Sequence, residues 1–176
     1  MRAMLLPLTL VACLGVTGCS TLTDLPTEQV AKARLSFADG RPAETAELTS
    51  DGRTLTLAIT ASGLEPGEHG FHLHTTGRCE APGFTSAGGH LNPDGREHGS
   101  LNPAGAHLGD LPNLVVGATR TASTQVDVGD DTPTRRSQIF DADGTAVIVH
   151  AGPDDYRSDP AGDAGARVAC GVITAV

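Results

Sequence analysis

Six metal-competent side chains, His72, His74, His90, His98, His107 and Asp110, fall within residues 72–110 of a chain that has only seven histidines in 176 residues. Imidazole is the commonest ligand for zinc and copper, and packing alone gives no reason to concentrate so scarce a residue type. From 76 to 111 the stretch has neither a helical nor a strand period, and glycine, proline and histidine take over. An irregular segment of that length inside a compact domain is usually functional and needs a rigid scaffold around it. A second such segment, 151–166, follows His150 and carries Gly152, Pro153, Asp154, Asp155, Gly162 and Gly165. Metal ligation can supply the order that so little apolar sequence cannot.

The scaffold reads as β-strands. Ala31, Ala33, Leu35 and Phe37 alternate with Lys32, Arg34 and Ser36, and Leu55, Leu57 and Ile59 repeat the period-2 pattern of a half-buried strand. Further strands are predicted over 43–49, 67–75, 113–121, 122–129, 145–150 and 167–174, separated by Gly, Pro, Asp and Asn turns. With 3% aromatic residues, 22 glycines and 11 prolines, the composition favours short strands over long helices. The fold class is all-β, a barrel or sandwich of eight strands with two long functional loops. His72 and His74, an i, i+2 pair on 67–75, then point to one face and can reach one metal. His90, His98, His107 and Asp110 form the three-imidazole, one-carboxylate set of a tetrahedral zinc site, and four protein ligands imply a structural role.

The net charge of −9 comes from 21 acids and 12 bases with no basic stripe, which excludes nucleic acid as a partner and reads as a solvated acidic surface. Arg2 precedes an apolar run over 5–12 that is too short to span a membrane but fits a secretory leader. Val16-Thr17-Gly18-Cys19 resembles a bacterial lipobox, which makes 1–18 a lipoprotein signal peptide, 19–29 the lipidated Cys19 and its tether, and 30–176 the folded domain. The alternative is a plain signal peptide with Cys19 discarded or free. Ser20 resembles an outer-membrane sorting signal, so the expected address is the bacterial cell envelope, facing the periplasm and lipid-anchored, with the outer membrane favoured. Once Cys13 and Cys19 are assigned to the leader, Cys79 and Cys170 remain as an even pair in an oxidising compartment and are expected to form a disulfide.

Five segments carry a resemblance to a known family: Gly67-Glu68-His69-Gly70-Phe71-His72-Leu73-His74, Ser86-Ala87-Gly88-Gly89-His90-Leu91-Asn92-Pro93, His107-Leu108-Gly109-Asp110-Leu111-Pro112-Asn113, Val149-His150, and Ala166-Arg167-Val168-Ala169-Cys170-Gly171-Val172-Ile173. In their order, and in the intervals of eight, nine and three residues from His90 to His98, His107 and Asp110, they resemble the copper-zinc superoxide dismutases, specifically the exported bacterial branch. The resemblance implies an eight-stranded Greek-key barrel with copper held by His72, His74, His90 and His150, and zinc held by His90, His98, His107 and Asp110. It further implies that His90 bridges the metals and that superoxide is converted to dioxygen and hydrogen peroxide by Cu(II)/Cu(I) cycling, with His90 carrying a proton and zinc holding it in place.

Arg167 matches the family's anion-guiding arginine, and Asp154 matches a carboxylate that bonds one copper and one zinc histidine, here His72 and His98. His69 is expected to be packed or backbone-bonded, and Arg157, in the loop after His150, reads as a solvated surface arginine, with a local contribution to attracting the anion as the alternative. The competing readings are a copper carrier of the same fold and a structural zinc protein, neither of which needs Arg167 and all four copper ligands. The resemblance leaves a homodimer open.

Overall fold

Alternation of apolar and polar residues decides which side of each strand faces inward, most plainly in the first three strands. The computed structural model describes residues 27–176; the stretch read as a signal peptide, 1–18, and Cys19 lie outside the described residues. Strands β1 (Glu28–Phe37), β2 (Pro42–Ser50) and β3 (Thr54–Ser62) form an antiparallel meander. Pairing therefore starts at Glu28, inside the stretch read as tether. In β3, Leu55, Leu57, Ile59 and Ala61 are buried while the residues between them are half-buried or exposed. Burying each Leu or Ile stabilises the barrel by about 1.5–3 kcal/mol.

The remaining elements are β4 (Gly67–His69), β5 (Phe71–His74), β6 (Leu114–Val116), β7 (Thr121–Asp130), α1 (Pro133–Ile139), β8 (Ala146–His150), β9 (Arg167–Val172) and β10 (Thr174–Ala175). The main sheet runs β5-β8-β9-β1-β2-β3-β7, with β10 also on β1, so β9 returns beside β1 in the Greek-key manner. A second pair, β4 with β6, is chained to both ends of that sheet, because Gly70 joins β4 to β5 and the turn 117–120 joins β6 to β7. The result is the closed all-β architecture expected from the strand pattern.

Three boundaries differ from the sequence-based expectation, each for a hydrogen-bonding reason. The strand predicted over 67–75 breaks at Gly70, whose N–H donates to the Gly152 carbonyl and whose carbonyl accepts from His150 N–H, so β4 and β5 take different partners. The strand predicted over 113–121 shortens to β6, because Gly117 N–H turns back to the Thr121 carbonyl. The last strand divides at Ile173, whose N–H bonds to Thr145. Where no regular element was expected, Thr132 caps α1 by accepting from Arg135 N–H, with Pro133 as the first helical residue. Asp131 accepts from the Arg136 guanidinium at 2.6 and 2.8 Å and from the Ser50 hydroxyl, which fastens this short helix to the end of β2.

Strands β5 and β8 are buried on both faces. Phe71, Leu73, Val147 and Val149 join the main barrel core, whereas Ala146, Ile148 and Cys170 face outward and pack with Phe84 and Ala87 of the long loop. His72 lies opposite Ile148 on that outward face, so the loops are a roof over the histidines. The roof is stapled by the Cys79–Cys170 disulfide, with Cα atoms 5.6 Å apart across a separation of 91 residues. Replacing both cysteines by serine is expected to lower the unfolding free energy by about 2–5 kcal/mol. Urea denaturation of the metal-free protein measures this, and a change below about 1 kcal/mol would show that the staple adds no stability.

Candidate metal centre

Strand β5 is the edge of the main sheet, and its unpaired backbone organises the site. Leu73 N–H donates to the Gly109 carbonyl at 3.0 Å, Leu91 N–H to the Leu73 carbonyl at 2.8 Å, and Gly109 N–H to the Leu91 carbonyl at 2.9 Å. These bonds draw two remote parts of the long loop onto β5 and set His90 across from His74 and Asp110 across from His72. Glycine is required at 109, where a Cβ would overlap the Leu73 carbonyl. His150 arrives from β8, just past a register shift between Val149 and His150.

Two ligand groups result, His72 with His74, His90 and His150, and His90 with His98, His107 and Asp110. Within each group the donor atoms lie within 4.8 Å of one another. In five of the six rings the nitrogen turned away from its group meets an acceptor: Asp154 Oδ2 at 2.8 Å from His72 Nε2, Gly88 O at 3.0 Å from His74 Nδ1, Gly165 O at 3.1 Å from His150 Nδ1, Asp154 Oδ1 at 2.9 Å from His98 Nε2, and Arg96 O at 3.1 Å from His107 Nε2. Each of these acceptors fixes a tautomer whose other nitrogen offers a lone pair inward. His90 has no outward acceptor, because its Nε2 belongs to the first group and its Nδ1 to the second.

The inward atoms fit metal ions. His72 Nδ1, His74 Nε2, His90 Nε2, His98 Nδ1 and His150 Nε2 are buried without a hydrogen-bond partner, and leaving such an atom unsatisfied costs about 1–3 kcal/mol. Asp110 Oδ1 lies 2.8 Å from His90 Nδ1 and 3.0 Å from both His98 Nδ1 and His107 Nδ1. A tetrahedral zinc ion with ligands at about 2.0 Å spaces them about 3.3 Å apart, so a small outward adjustment accommodates one.

Burial keeps the His74, His90 and His150 imidazoles uncharged. Desolvation, reinforced by neighbouring histidines, pushes His74 from the usual 6.5 down to about 2 against the pull of the Gly88 carbonyl. His90 and His150 are each lowered to about 4, chiefly by desolvation. For Asp110 burial acts in the opposite sense, yet bonds from His90 and from the N–H groups of Gly99 and His107 hold its carboxyl below the ordinary carboxylate range. Asp154 is likewise held low, against its burial, by His72, His98 and Tyr156 N–H. Neutral imidazoles beside ionised carboxylates are the protonation states that cation binding requires.

Arg167 sits at the start of β9, with Nη1 donating to Phe84 O at 2.8 Å and Nη2 to Gly88 O at 2.6 Å. The Gly88 carbonyl also accepts from His74, so the guanidinium and a ligand of the first group share one anchor. A cleft of about 330 Å³ opens between Arg167, His90, His107, Arg96, Asp159 and Ala161. Nothing in the sequence marks Arg96 off from other loop arginines, and Arg157 does not line this cleft. His69 is outside both groups, since its ring nitrogens face the carbonyls of His150 at 2.7 Å and Glu65 at 2.8 Å. A larger groove of about 540 Å³ lies beside the disulfide but has neither histidine nor carboxylate in its lining, so the smaller cleft is the one that serves the ligand groups.

A Greek-key barrel whose roof encloses two imidazole groups with one histidine in common defines a class of dinuclear metalloprotein. The chain belongs to the copper/zinc superoxide dismutase family, whose model matches residues 43–173. It is 43% identical over 146 residues to a Superoxide dismutase [Cu-Zn] 2 of Aquifex aeolicus, covering 81% of this chain and 85% of the relative. It is 40% identical over 147 residues to a Superoxide dismutase [Cu-Zn] of Caulobacter vibrioides, covering 81% and 84%. Among solved structures, a SOD-like protein of Bacillus subtilis superposes with TM-score 0.76 at 39% identity, covering 81% of this chain and 97% of that one. The Cu/Zn superoxide dismutase of Brucella abortus gives TM-score 0.64 at 30% identity, covering 82% and 99%.

The lowered histidine values predict how acid acts on the metal-free protein. Between about pH 6.5 and 4 the unfolded chain binds protons at His90 and His150 that the folded chain excludes, so stability falls as pH drops through that window. Thermal unfolding at pH 7.5 and 4.5 without metal should show a lower midpoint at the acid pH. An unchanged or higher midpoint would contradict the buried neutral state.

Proposed function

We propose that the protein is a superoxide dismutase holding copper at His72, His74, His90 and His150, and zinc at His90, His98, His107 and Asp110, with His90 bridging the two. One observation carries this reading: His90 alone presents a nitrogen to each group, and it borders the cleft that Arg167 enters. When bound, copper supplies a one-electron redox change, and zinc supplies fixed positive charge without redox chemistry. In the overall reaction one superoxide is oxidised to dioxygen while another is reduced and takes up two protons to give hydrogen peroxide.

The chain's own residues bind, orient and carry protons. Arg167 and Arg96 offer guanidinium donors to a small anion entering the cleft. Asp159 also lines it, but its Oδ1 accepts from His98 N–H at 2.7 Å, which ties up that oxygen. His90 Nε2, which has no acceptor behind it, can hold a proton and release it to reduced oxygen, while Nδ1 stays with His98, His107 and Asp110. Asp154 keeps His72 and His98 in the tautomers that face inward. A copper carrier would have no use for a two-arginine cleft at the shared histidine.

Superoxide consumption by the copper- and zinc-loaded protein tests the reading, with metal content measured in parallel. Arg167→Ala should retain both metals and lose about tenfold or more of kcat/KM, the worth of a charge-assisted hydrogen bond. His150→Ala should lose copper affinity, and Arg96→Gln should flatten the fall of rate with ionic strength. Full metal loading without turnover would identify a carrier instead.

The leader motif supports export and lipid anchoring through Cys19, with the domain facing the periplasm and Ser20 directing it to the outer membrane. Mass spectrometry of the mature N-terminus should find an acylated Cys19, and Cys19→Ala should release the protein from membranes. A mature N-terminus elsewhere would contradict the anchor.

A further inference from the structure

We propose that Asn113 is a positioning residue that sets the height of Asp154 and thereby tunes both metal sites at once; the proposal rests on the two-metal reading above. Asp154 is buried, and its carboxylate contacts one ring of each ligand group, His72 through Oδ2 and His98 through Oδ1. Any displacement of that carboxylate therefore moves a copper-side and a zinc-side imidazole together. The question becomes what holds the Asp154 backbone, since it lies in the irregular loop 151–166, outside any strand.

Asn113 holds it from the other loop. Its Nδ2 donates to the Asp154 carbonyl at 2.9 Å, and its Oδ1 accepts from Asp154 N–H at 2.9 Å. Its own N–H donates to the Tyr156 hydroxyl at 2.7 Å, so three bonds join one residue to a three-residue stretch. The side-chain amide imitates a strand neighbour, offering a donor and an acceptor in one plane to the two backbone groups of Asp154. Aspartate would supply no donor, alanine neither group, and glutamine a reach one methylene longer.

Position adds to the effect. Asn113 follows Asp110 by three residues and immediately precedes β6, so it is anchored by the barrel. Gly162, at φ +65°, lies against the Asp154 carboxylate, where a Cβ would overlap Asp154. The Asp154 backbone is thus held by the barrel-anchored amide, and its carboxylate lies against a glycine that allows close approach. Among the described residues Asn113 has its hydrogen bonds to Asp154 and Tyr156 and none to a member of either metal group, so its action is on geometry.

A double-mutant cycle tests this, with Zn²⁺ as the probe in competition with a chromophoric chelator, on the full-length protein as wild type, Asn113→Ala, Asp154→Ala and the pair. Asn113→Ala should weaken zinc retention about tenfold, within the range usual for an outer hydrogen-bond partner of a ligand. In the Asp154→Ala background the same change should cost nothing further, because the group it positions is gone. Asn113→Asp, which keeps the size and the acceptor, should fall between wild type and Asn113→Ala, and Co²⁺ in place of zinc should show a shifted visible spectrum in both. Additive losses would assign Asn113 a general structural role and overturn the proposal, as would native zinc affinity in Asn113→Ala. Should Asn113→Ala not fold, native zinc affinity and a native Co²⁺ spectrum in Asn113→Asp would overturn it equally. A wild type that binds no zinc would overturn the metal reading along with it, whereas zinc-binding wild type with an additive cycle would overturn the positioning role alone.

Discussion

Four buried imidazole nitrogens that face one another without a hydrogen-bond partner, on His72, His74, His90 and His150, are the constraint on which the rest of the site depends. The protein cannot satisfy them from its own groups. Protonating them would place like charges side by side in a desolvated space, which is why the His74, His90 and His150 values fall well below the usual 6.5. A cation that accepts their lone pairs removes the penalty, so metal binding and ordering of the two loops are one free-energy change. The fixed outward acceptors, from Gly88, Gly165, Arg96 and Asp154, keep the rings from turning away before a metal arrives.

The barrel's contribution is an unpaired strand edge. Exposed edges invite wrong pairing and are commonly covered. Here β5 is covered by its own loop at Leu91 and Gly109, and the cover carries His90 and Asp110 into register with His72 and His74. Strand order therefore positions the ligands as directly as the ligand residues themselves do. The disulfide acts on the same roof from the other end, holding the segment whose Phe84 and Gly88 carbonyls fix Arg167.

Much of this was legible in the chain, and the boundary of legibility has a physical cause. Period-2 alternation set His72 and His74 on one face and predicted the core positions of β1 and β3, because each depends only on local geometry. The ligand intervals and the motif order carried the family. Cross-loop hydrogen bonds leave no periodic trace, so the roles of Asn113 and Arg96 could not be read from residue type. The break of 67–75 at Gly70 is similar, since it is set by bonds to Gly152 and His150 some eighty residues away. The overall charge of −9 also misdirects, because the cleft itself has two arginines, and exposed acids more than about 8–10 Å away are screened at physiological salt.

In the proposed centre one imidazole, that of His90, serves two metals. Anomalous diffraction from crystals of the copper- and zinc-loaded protein, collected on both sides of each absorption edge, tests it most directly. A copper peak is expected within the His72, His74, His90 and His150 group, a zinc peak within the His90, His98, His107 and Asp110 group, and the His90 ring between them. A single metal peak, or a His90 ring turned toward only one of two metals in the oxidised state, would contradict it.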